Sequence, residues 1–298
     1  MAIINFGSMN LDHVYSVPHF VQPGETLQSG EYHIYCGGKG LNQSVAAARA
    51  GAKTIHAGMM GEGGDILLRC LAENGVDTSL IGTPALPQGH AIIQVSESGE
   101  NSILLFRGSN FAVTKEYIDR VLDTQKDIQY VIVQNEISEV PYLIEAAYAK
   151  GLKVVFNASP FDESLLEIDL AKISWLLINE IEGTCLTGET SPENILAKLK
   201  ERSPDIGVVL TLGKEGAVCM KGGEMIRQGI FRVETVDTTG AGDTFTGYFI
   251  AGLDAGLPLK EALENAAAAS AIAVSRRGAA PSIPYAAEVA AFIKEQKK

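Results

Sequence analysis

Apolar and polar positions change period repeatedly along this chain. Short apolar runs bounded by glycine, proline or polar clusters alternate with stretches whose apolar residues recur every three to four positions. The first pattern predicts buried strands, and the second predicts helices that pack by one face. Strands are predicted at 3–7, 54–58, 130–133, 153–156, 175–178 and 206–212. Helices are predicted at about 40–50, 65–74, 140–150, 241–255, 259–276 and 285–294. Strand and helix in alternation imply an α/β fold, a doubly wound, mainly parallel sheet with helices on both faces.

Two stretches break the alternation. Residues 13–35 and 90–106 are strand-like with period-two character. Glu97-Ser98-Gly99-Glu100-Asn101 predicts a hairpin turn between strands at 91–95 and 102–106. Both excursions adjoin βα connections of the main sheet. They predict a small β-sheet lid, built from about 12–36 and 89–107, on a single domain spanning 1–298. A lid there would exclude water from a reaction centre, although an immobile pair of edge hairpins fits the same pattern.

Composition narrows the function. The 298 residues are 46% hydrophobic and 20% charged, which supports a sizeable core. A formal net charge of −12 argues against nucleic acid and anionic membrane surfaces as partners, because both need basic patches. No apolar run reaches the roughly 18 residues of a membrane span. Met-Ala-Ile-Ile-Asn-Phe-Gly-Ser at the start reads as a strand and not a signal peptide. Cys36, Cys70, Cys185 and Cys219 are far apart in sequence and form no CxxC pair. The expectation is free, mostly buried thiols in a cytoplasmic protein. The histidines are too scattered to predict a zinc site.

Candidate chemistry sits in two glycine-broken motifs. Asp237-Thr238-Thr239-Gly240-Ala241-Gly242-Asp243 precedes a helix with Phe245, Phe249 and Leu253 at helical spacing. Backbone N–H groups from Gly240 to Asp243 would converge there without intrahelical partners, aided by the helix dipole. Such a cradle suits a phosphoryl group in transit, and Asp243 could take a proton from a substrate hydroxyl. A capped helix after a tight turn fits the same glycines. Cys36-Gly37-Gly38-Lys39-Gly40-Leu41-Asn42-Gln43 precedes an alanine-rich helix ended by Gly51. It is not a Walker loop, because Gly40 follows Lys39, and the chain contains no G-x-G-x-x-G for a dinucleotide. Lys39 and Asn42 would give directional contacts to a polyhydroxy ligand; a turn with a solvated lysine fits equally.

Together the two motifs resemble the paired signatures of the ribokinase-like, or PfkB-type, sugar kinases. The resemblance runs the length of the chain. It includes Gly7-Ser8-Met9-Asn10-Leu11-Asp12, Gly24-Glu25-Thr26, Arg107-Gly108-Ser109-Asn110, Asn179-Glu180-Ile181-Glu182, Thr211-Leu212-Gly213-Lys214-Glu215-Gly216 and the segment 273–284. It implies an ATP-dependent kinase that transfers the γ-phosphate to a primary hydroxyl of a furanose. D-Ribose, giving ribose 5-phosphate, is the first candidate; fructose, deoxyribose, pseudouridine and adenosine are alternatives. A non-catalytic sugar sensor is the alternative of another class, and it would need a damaged base or anion hole.

The resemblance also implies roles. Asp243 would be the general base, with Gly240, Ala241 and Gly242 as the anion hole. Asn10, Asp12, Gly38, Lys39, Asn42 and Glu136, with Asp243, would bind the sugar. Asn179, Glu182, Thr211, Gly213, Gly216 and Gly242 would bind the nucleotide, and Glu182 would order Mg²⁺ through water. Asp237, Thr239, Ala273, Arg276, Gly278 and Ser282 would hold K⁺, with Arg276 acting through its carbonyl. Lids of this family imply a homodimer joined through 14–35 and 91–106. Two departures bear on the sugar: Asn157-Ala158-Ser159-Pro160 and His90 differ from the usual pattern. Both are expected to lie clear of the catalytic set.

Overall fold

A strand buried on both faces has no polar side to show to water. In β1 (Ala2–Phe6) all five residues are buried. Ile4 and Phe6 join the core on one side of the sheet, and Ile3 joins the core on the other. The rest of the chain is arranged around that two-sided strand. The computed structural model describes residues 1–124 and 127–297.

After β1 come β2 (Asn10–Val17), β3 (Glu31–Gly37), α1 (Lys39–Arg49), β4 (Lys53–Ala57) and α2 (Asp65–Glu73). The hairpin β5 (His90–Ser96) and β6 (Asn101–Phe106) follows, then α3 (Lys115–Thr124), β7 (Ile128–Gln134), α4 (Val140–Ala149) and β8 (Lys153–Asn157). Next are β9 (Trp175–Asn179), α5 (Glu180–Thr187), α6 (Pro192–Arg202) and β10 (Gly207–Thr211). A second hairpin, β11 (Ala217–Lys221) and β12 (Glu224–Gln228), precedes α7 (Ala241–Asp254), α8 (Leu259–Val274) and α9 (Ala286–Gln296).

The large sheet has eight strands in the order β12-β11-β10-β9-β8-β7-β1-β4. From β10 to β4 every pairing is parallel, and only the edge hairpin β11–β12 is antiparallel. Helices α3, α4 and α6 supply the core on one face through residues such as Ile118, Leu143 and Leu196. Helices α1, α2, α7 and α8 cover the other through Val45, Leu67, Phe249 and Leu263. This is the doubly wound α/β architecture that the alternation predicts. The elements α3, α5, α6, β11 and β12 lie outside the predicted pattern. Strand order reverses beside β1, since β4 lies to one side of it and β7 to the other. Crevices at the carboxyl ends of strands near such a reversal are where open α/β sheets bind ligands.

The second sheet has four strands in the order β3-β2-β5-β6. The two excursions join through a parallel pairing of β2 with β5, Leu11 opposite His90. One close approach ties this sheet's roots to the main body. A Cβ on Gly7 would lie 2.4 Å from the Gly40 Cα, and one on Gly40 would lie 2.4 Å from the Gly7 Cα. Only paired glycines let the end of β1 touch the first turn of α1. That contact brings the early glycine motif onto the carboxyl edge of the large sheet.

No helix among the described residues is long and apolar enough to cross a membrane. The thiols differ from expectation: Cys219 is buried, Cys36 and Cys70 are half-buried, and Cys185 is exposed. Cys36 and Cys70 lie at the ends or faces of elements that reach the surface, so sequence distance from other cysteines says little about their depth.

Candidate active site

Gly240 caps α7 with φ +73°, a left-handed conformation that glycine adopts without strain. The turn it makes aims the first residues of α7 into a cleft at the carboxyl ends of β8, β9 and β10. The cleft encloses about 240 Å³ and is lined by Lys39, Asn179, Glu182, Thr211, Gly240–Gly242 and Asp243, among others. The N–H groups of Gly242 and Asp243 have no partner four residues back, because they stand in the first helical turn. Ala241 differs from the expected open cradle, since its N–H makes a long 3.3 Å bond to the Thr238 carbonyl.

Asp243 is buried, and its carboxylate is gripped from α1. Asn42 Nδ2 donates to Oδ2 at 3.0 Å, and Gln43 Nε2 donates to Oδ1 at 2.9 Å. Asn42 Oδ1 is buried with no partner among the described residues, an acceptor suited to a ligand hydroxyl. Lys39 opens α1 on the rim of the same cleft, and its N–H donates to Glu136 Oε2 at 3.0 Å. Glu136 follows β7, and the Ser8 hydroxyl at the end of β1 donates to the same oxygen. The two strands flanking the order reversal are thus joined through the Glu136 carboxylate.

A smaller pocket of about 50 Å³ lies on the far side of Glu136, lined by Asn10, Leu105, Arg107, Asn110, Asn135 and Pro160 with it. Asn110 Nδ2 donates to Asn10 Oδ1 at 2.7 Å, and Asn110 Oδ1 accepts from the Met9 N–H at 2.9 Å. Leu105 of β6 reaches this pocket, so the small sheet forms part of its wall.

Charge is concentrated here. Burial, then the charges of Glu136 and Asp243, push the Asp12 carboxyl up to about 7. Burial also lifts Glu136 above the usual carboxylate range, against the opposing pull of Lys39 and Ser8. Burial works against the charge of Lys39, yet Asp243, Glu136 and Glu182 outweigh it and raise its pKa. A lysine placed among three carboxylates therefore stays a cation, as a site for a polyanion requires.

Asn179 and Glu182 form a capping box on α5: Glu182 N–H donates to Asn179 Oδ1, and Asn179 N–H donates to Glu182 Oε2, both at 2.9 Å. The capping box uses Glu182 Oε2 and leaves Oε1 outside it. Gly213 and Gly216 do not line the cleft; they bend the connection beyond Thr211, with φ +49° and +95°.

A family model described as pfkB family carbohydrate kinase matches residues 2–286. The chain belongs to that family. It is 38% identical to the ribokinase of Haemophilus influenzae over 97% of both chains. Its fold matches the crystal structure of the Thermotoga maritima ribokinase with a TM-score of 0.90, at 34% identity and 99% coverage of each chain. It also matches the Arabidopsis thaliana ribokinase complexed with ribose and ATP, with a TM-score of 0.86 at 29% identity and 99% coverage of each.

Within this carbohydrate kinase, the residues singled out for the cation are partly brought together. Asp237 Oδ1 accepts from the N–H and hydroxyl of Thr239, and Oδ2 accepts from the Gly278 N–H at 2.9 Å. Burial raises its pKa, but those hydrogen bonds prevail and hold it below the usual carboxylate value. The Arg276 guanidinium pairs with Glu288, which leaves its carbonyl as the group able to face a cation. Ala273 lies in the last turn of α8 and Ser282 donates to the Ala279 carbonyl; both residues are buried.

One of the two expectations about the departures needs correction. Asn157 and Ser159, expected to lie clear of the catalytic set, line the same cleft as Asp243. Asn157 stands at the carboxyl end of β8, where a parallel strand delivers its last residue into the crevice. His90 does lie apart from the cleft, edge-on to His13 and against Phe106, with ring centroids 5.7 and 5.0 Å away. Gln43, Asn110, Gln134 and Asn5 were not among the candidate residues. For Asn5 and Gln134 the signal is a buried polar side chain in a largely apolar strand, as in Ala-Ile-Ile-Asn-Phe; Gln43 and Asn110 stand among polar neighbours and carry no such signal.

Proposed function

We propose that this carbohydrate kinase transfers the γ-phosphate of ATP to the primary 5-hydroxyl of D-ribose. The observation that carries the proposal is the Asp243 carboxylate, held by Asn42 and Gln43 in the first turn of α7, beside unpaired N–H groups and Lys39. In that position Asp243 takes the proton as the hydroxyl oxygen attacks the γ-phosphorus, the bond from that phosphorus to the β-phosphate oxygen breaks with ADP as the leaving group, and the first-turn N–H groups hold the phosphoryl oxygens. Asn10, Asp12, Gly38, Lys39, Asn42 and Glu136 bind the sugar. The small pocket around Asn10 and Glu136 and the free Oδ1 of Asn42 support that part. Asn179, Glu182 and Thr211 bind the nucleotide, and Gly213 and Gly216 shape the loop that follows Thr211.

Mg²⁺, when bound, neutralises charge on the phosphates. Glu182 fits it, being buried in the cleft with Oε1 free to order a hydration shell. The carboxylate of Asp237 and the carbonyls of Ala273, Arg276, Gly278 and Ser282 fit a K⁺ ion. The four-stranded sheet acts as a lid and as the contact of a homodimer. We place the protein in the cytoplasm, a setting supported by four free thiols, three of them at least partly exposed.

The near full-length likeness to ribokinases, one of them held with ribose and ATP, supports ribose over other furanoses. A coupled assay with ribose, deoxyribose, fructose, pseudouridine and adenosine tests the choice. The highest kcat/KM should belong to ribose, and a preference for any other acceptor overturns the substrate while leaving the kinase reading intact.

A further inference from the structure

Behind Asp243 runs a chain of buried amides that the reaction as described does not use. Gln43 Oε1 accepts from Gln134 Nε2 at 2.8 Å. Gln134 Nε2 also donates to Asn5 Oδ1 at 2.8 Å. Asn5 Nδ2 donates to the Gly40 carbonyl at 2.7 Å and to the Ser44 hydroxyl at 2.9 Å. Ser44 in turn meets Nδ1 of His56 at 2.8 Å. Gln43, Gln134, Asn5, Ser44 and His56 are all fully buried. They come from α1, β7, β1 and β4, so the chain threads beneath the carboxyl edge of the sheet at the order reversal.

The direction of this chain is set at one end. An ionised carboxylate only accepts hydrogen bonds. Gln43 must therefore turn its NH₂ toward Asp243 and its oxygen toward Gln134. Gln134 must then present NH₂ to Gln43 and Asn5, and Asn5 must present NH₂ to Ser44 and Gly40. No member can flip alone without setting two acceptors or two donors face to face in a dry interior. His56 at the far end is held neutral by burial, with its pKa lowered to about 4, so it adds no competing charge.

We propose that Gln43 is a positioning residue for Asp243, and that Gln134 and Asn5 lock it. Asn42 and Gln43 occupy successive positions of α1 and grip different oxygens, which fixes the rotation of the carboxylate about its own axis. Gln43 cannot swing away, because Gln134 holds its oxygen. The other charges facing Asp243 are Lys39 from α1, Asp12 from β2 and Glu136 from the loop after β7. None of these is placed to set its rotation by a direct bond among the hydrogen bonds described above.

The proposal rests on Asp243 as the base, and the test separates the two. Gln43→Leu, Gln43→Glu, Gln134→Leu and Asp243→Asn are compared for kcat, for KM of ATP and ribose, for Tm and for the pH dependence of kcat. Gln43→Leu is expected to lower kcat about tenfold or more with KM for ATP unchanged, as small misplacements of a reacting group do. Gln43→Glu is expected to move the acid limb of the kcat profile upward by about one pH unit or more, because a like charge faces the base. Gln134→Leu, which leaves Gln43 beside Asp243 but unlocked, is expected to lower kcat in the same direction. A purely structural Gln43 would lower Tm and leave kcat of Gln43→Leu unmoved, and that result in the folded variant overturns the proposal. If the Gln43 variants do not fold, wild-type kcat in Gln134→Leu overturns it. Should Asp243→Asn abolish turnover while the Gln43 variants remain wild type, the positioning idea fails and the base stands. Should Asp243→Asn itself remain active, the base assignment fails.

Discussion

Asn42 and Asp243 are separated by 201 positions in the chain, yet the amide of one donates to the carboxylate of the other at 3.0 Å. That bond joins the two glycine motifs into one site, since Asn42 belongs to the first motif and Asp243 ends the second. It also explains why the carboxylate has a defined direction. Asp243→Asn should lower kcat by about 10² or more, as expected for loss of a positioned acid–base group. Sugar binding should largely persist. Isothermal titration with ribose, beside steady-state kinetics, checks both halves; near wild-type turnover in the folded variant would remove Asp243 from its role.

Gly240→Ala probes the cradle. A left-handed backbone at φ +73° costs a non-glycine residue roughly 1–2 kcal/mol, and the new methyl would lie 3.2 Å from the Ala279 Cβ. Tm should fall, and kcat should fall beyond what the small stability loss explains, because the first turn of α7 tilts. An unchanged kcat at a lowered Tm would mean that the cradle tolerates the tilt.

Asp12 gives the protein a pH signature. Its carboxyl ordinarily titrates at 3.8 and is pushed up to about 7 in the fold, by burial first and by Glu136 and Asp243 next. Below 3.8 it is protonated in both states and costs nothing. Between 3.8 and about 7 the unfolded chain ionises while the folded chain does not, so stability falls as pH rises through that window. Above about 7 the loss is complete, on the order of 4 kcal/mol at most. Asp12→Asn should therefore raise Tm more at pH 8 than at pH 5. A stabilisation that is equal at both pH values would show that the carboxyl is ionised throughout.

The parts of the site that could be read from the chain were those carried by local spacing. Gly240 before a helix and Asp243 within its first turn are neighbours in sequence, so their geometry follows from one turn and one helix. Strands such as β1 and β7 are equally legible, because burial on both faces writes a continuous apolar run. The amide chain of Gln43, Gln134 and Asn5 is not legible in that way. Each residue stands in a different element, α1, β7 and β1, and only the packed fold brings them together. The hairpin β11–β12 hides for another reason. Its turn, Gly222-Gly223, has both residues at positive φ, but its strands pair antiparallel at an edge where alternation with helices stops. Helix α5 is short, and its capping box Asn179–Glu182 is made of residues that also face the cleft. Residues that serve fold and site together show only one of those roles to a periodicity argument.

The loop around Asp237 predicts a dependence on monovalent cations. Its carboxylate joins the Thr239 turn to the Gly278 turn, and Gly240 follows immediately. A cation seated on this loop would stiffen the backbone that presents the first-turn N–H groups. K⁺ should give a higher kcat than Na⁺ or a bulky organic cation at equal ionic strength, and Asp237→Ala should flatten the difference. Identical kinetics in all three salts would count against a functional cation site.

The small sheet predicts assembly. All six residues of β6 are exposed, including Ile103 at 58% and Leu104 at 68%, which point to opposite faces of the strand. Tyr32 and Ile34 on β3 and Phe106 on β6 are also exposed. A four-stranded sheet with apolar side chains open on both faces and an unpaired β6 edge is a liability in water. Turning one face onto the site covers Leu105 in part, as its place in the pocket with Asn10 and Glu136 requires. The opposite face and the β6 edge need another cover. A second copy of the same sheet, related by a two-fold axis, presents the same apolar pattern in complementary orientation and closes on itself. The expected species is therefore a homodimer joined through 14–35 and 91–106, twice the 31.7 kDa of the chain by light scattering at micromolar concentration. Leu104→Glu should split it, because a carboxylate placed in the middle of the contact must be desolvated without a partner. Sugar KM should rise in the split form, since Leu105 leans on the pocket from a sheet that has lost its support. A monomer mass for the unaltered protein together with full kinase activity would show that the sheet needs no partner.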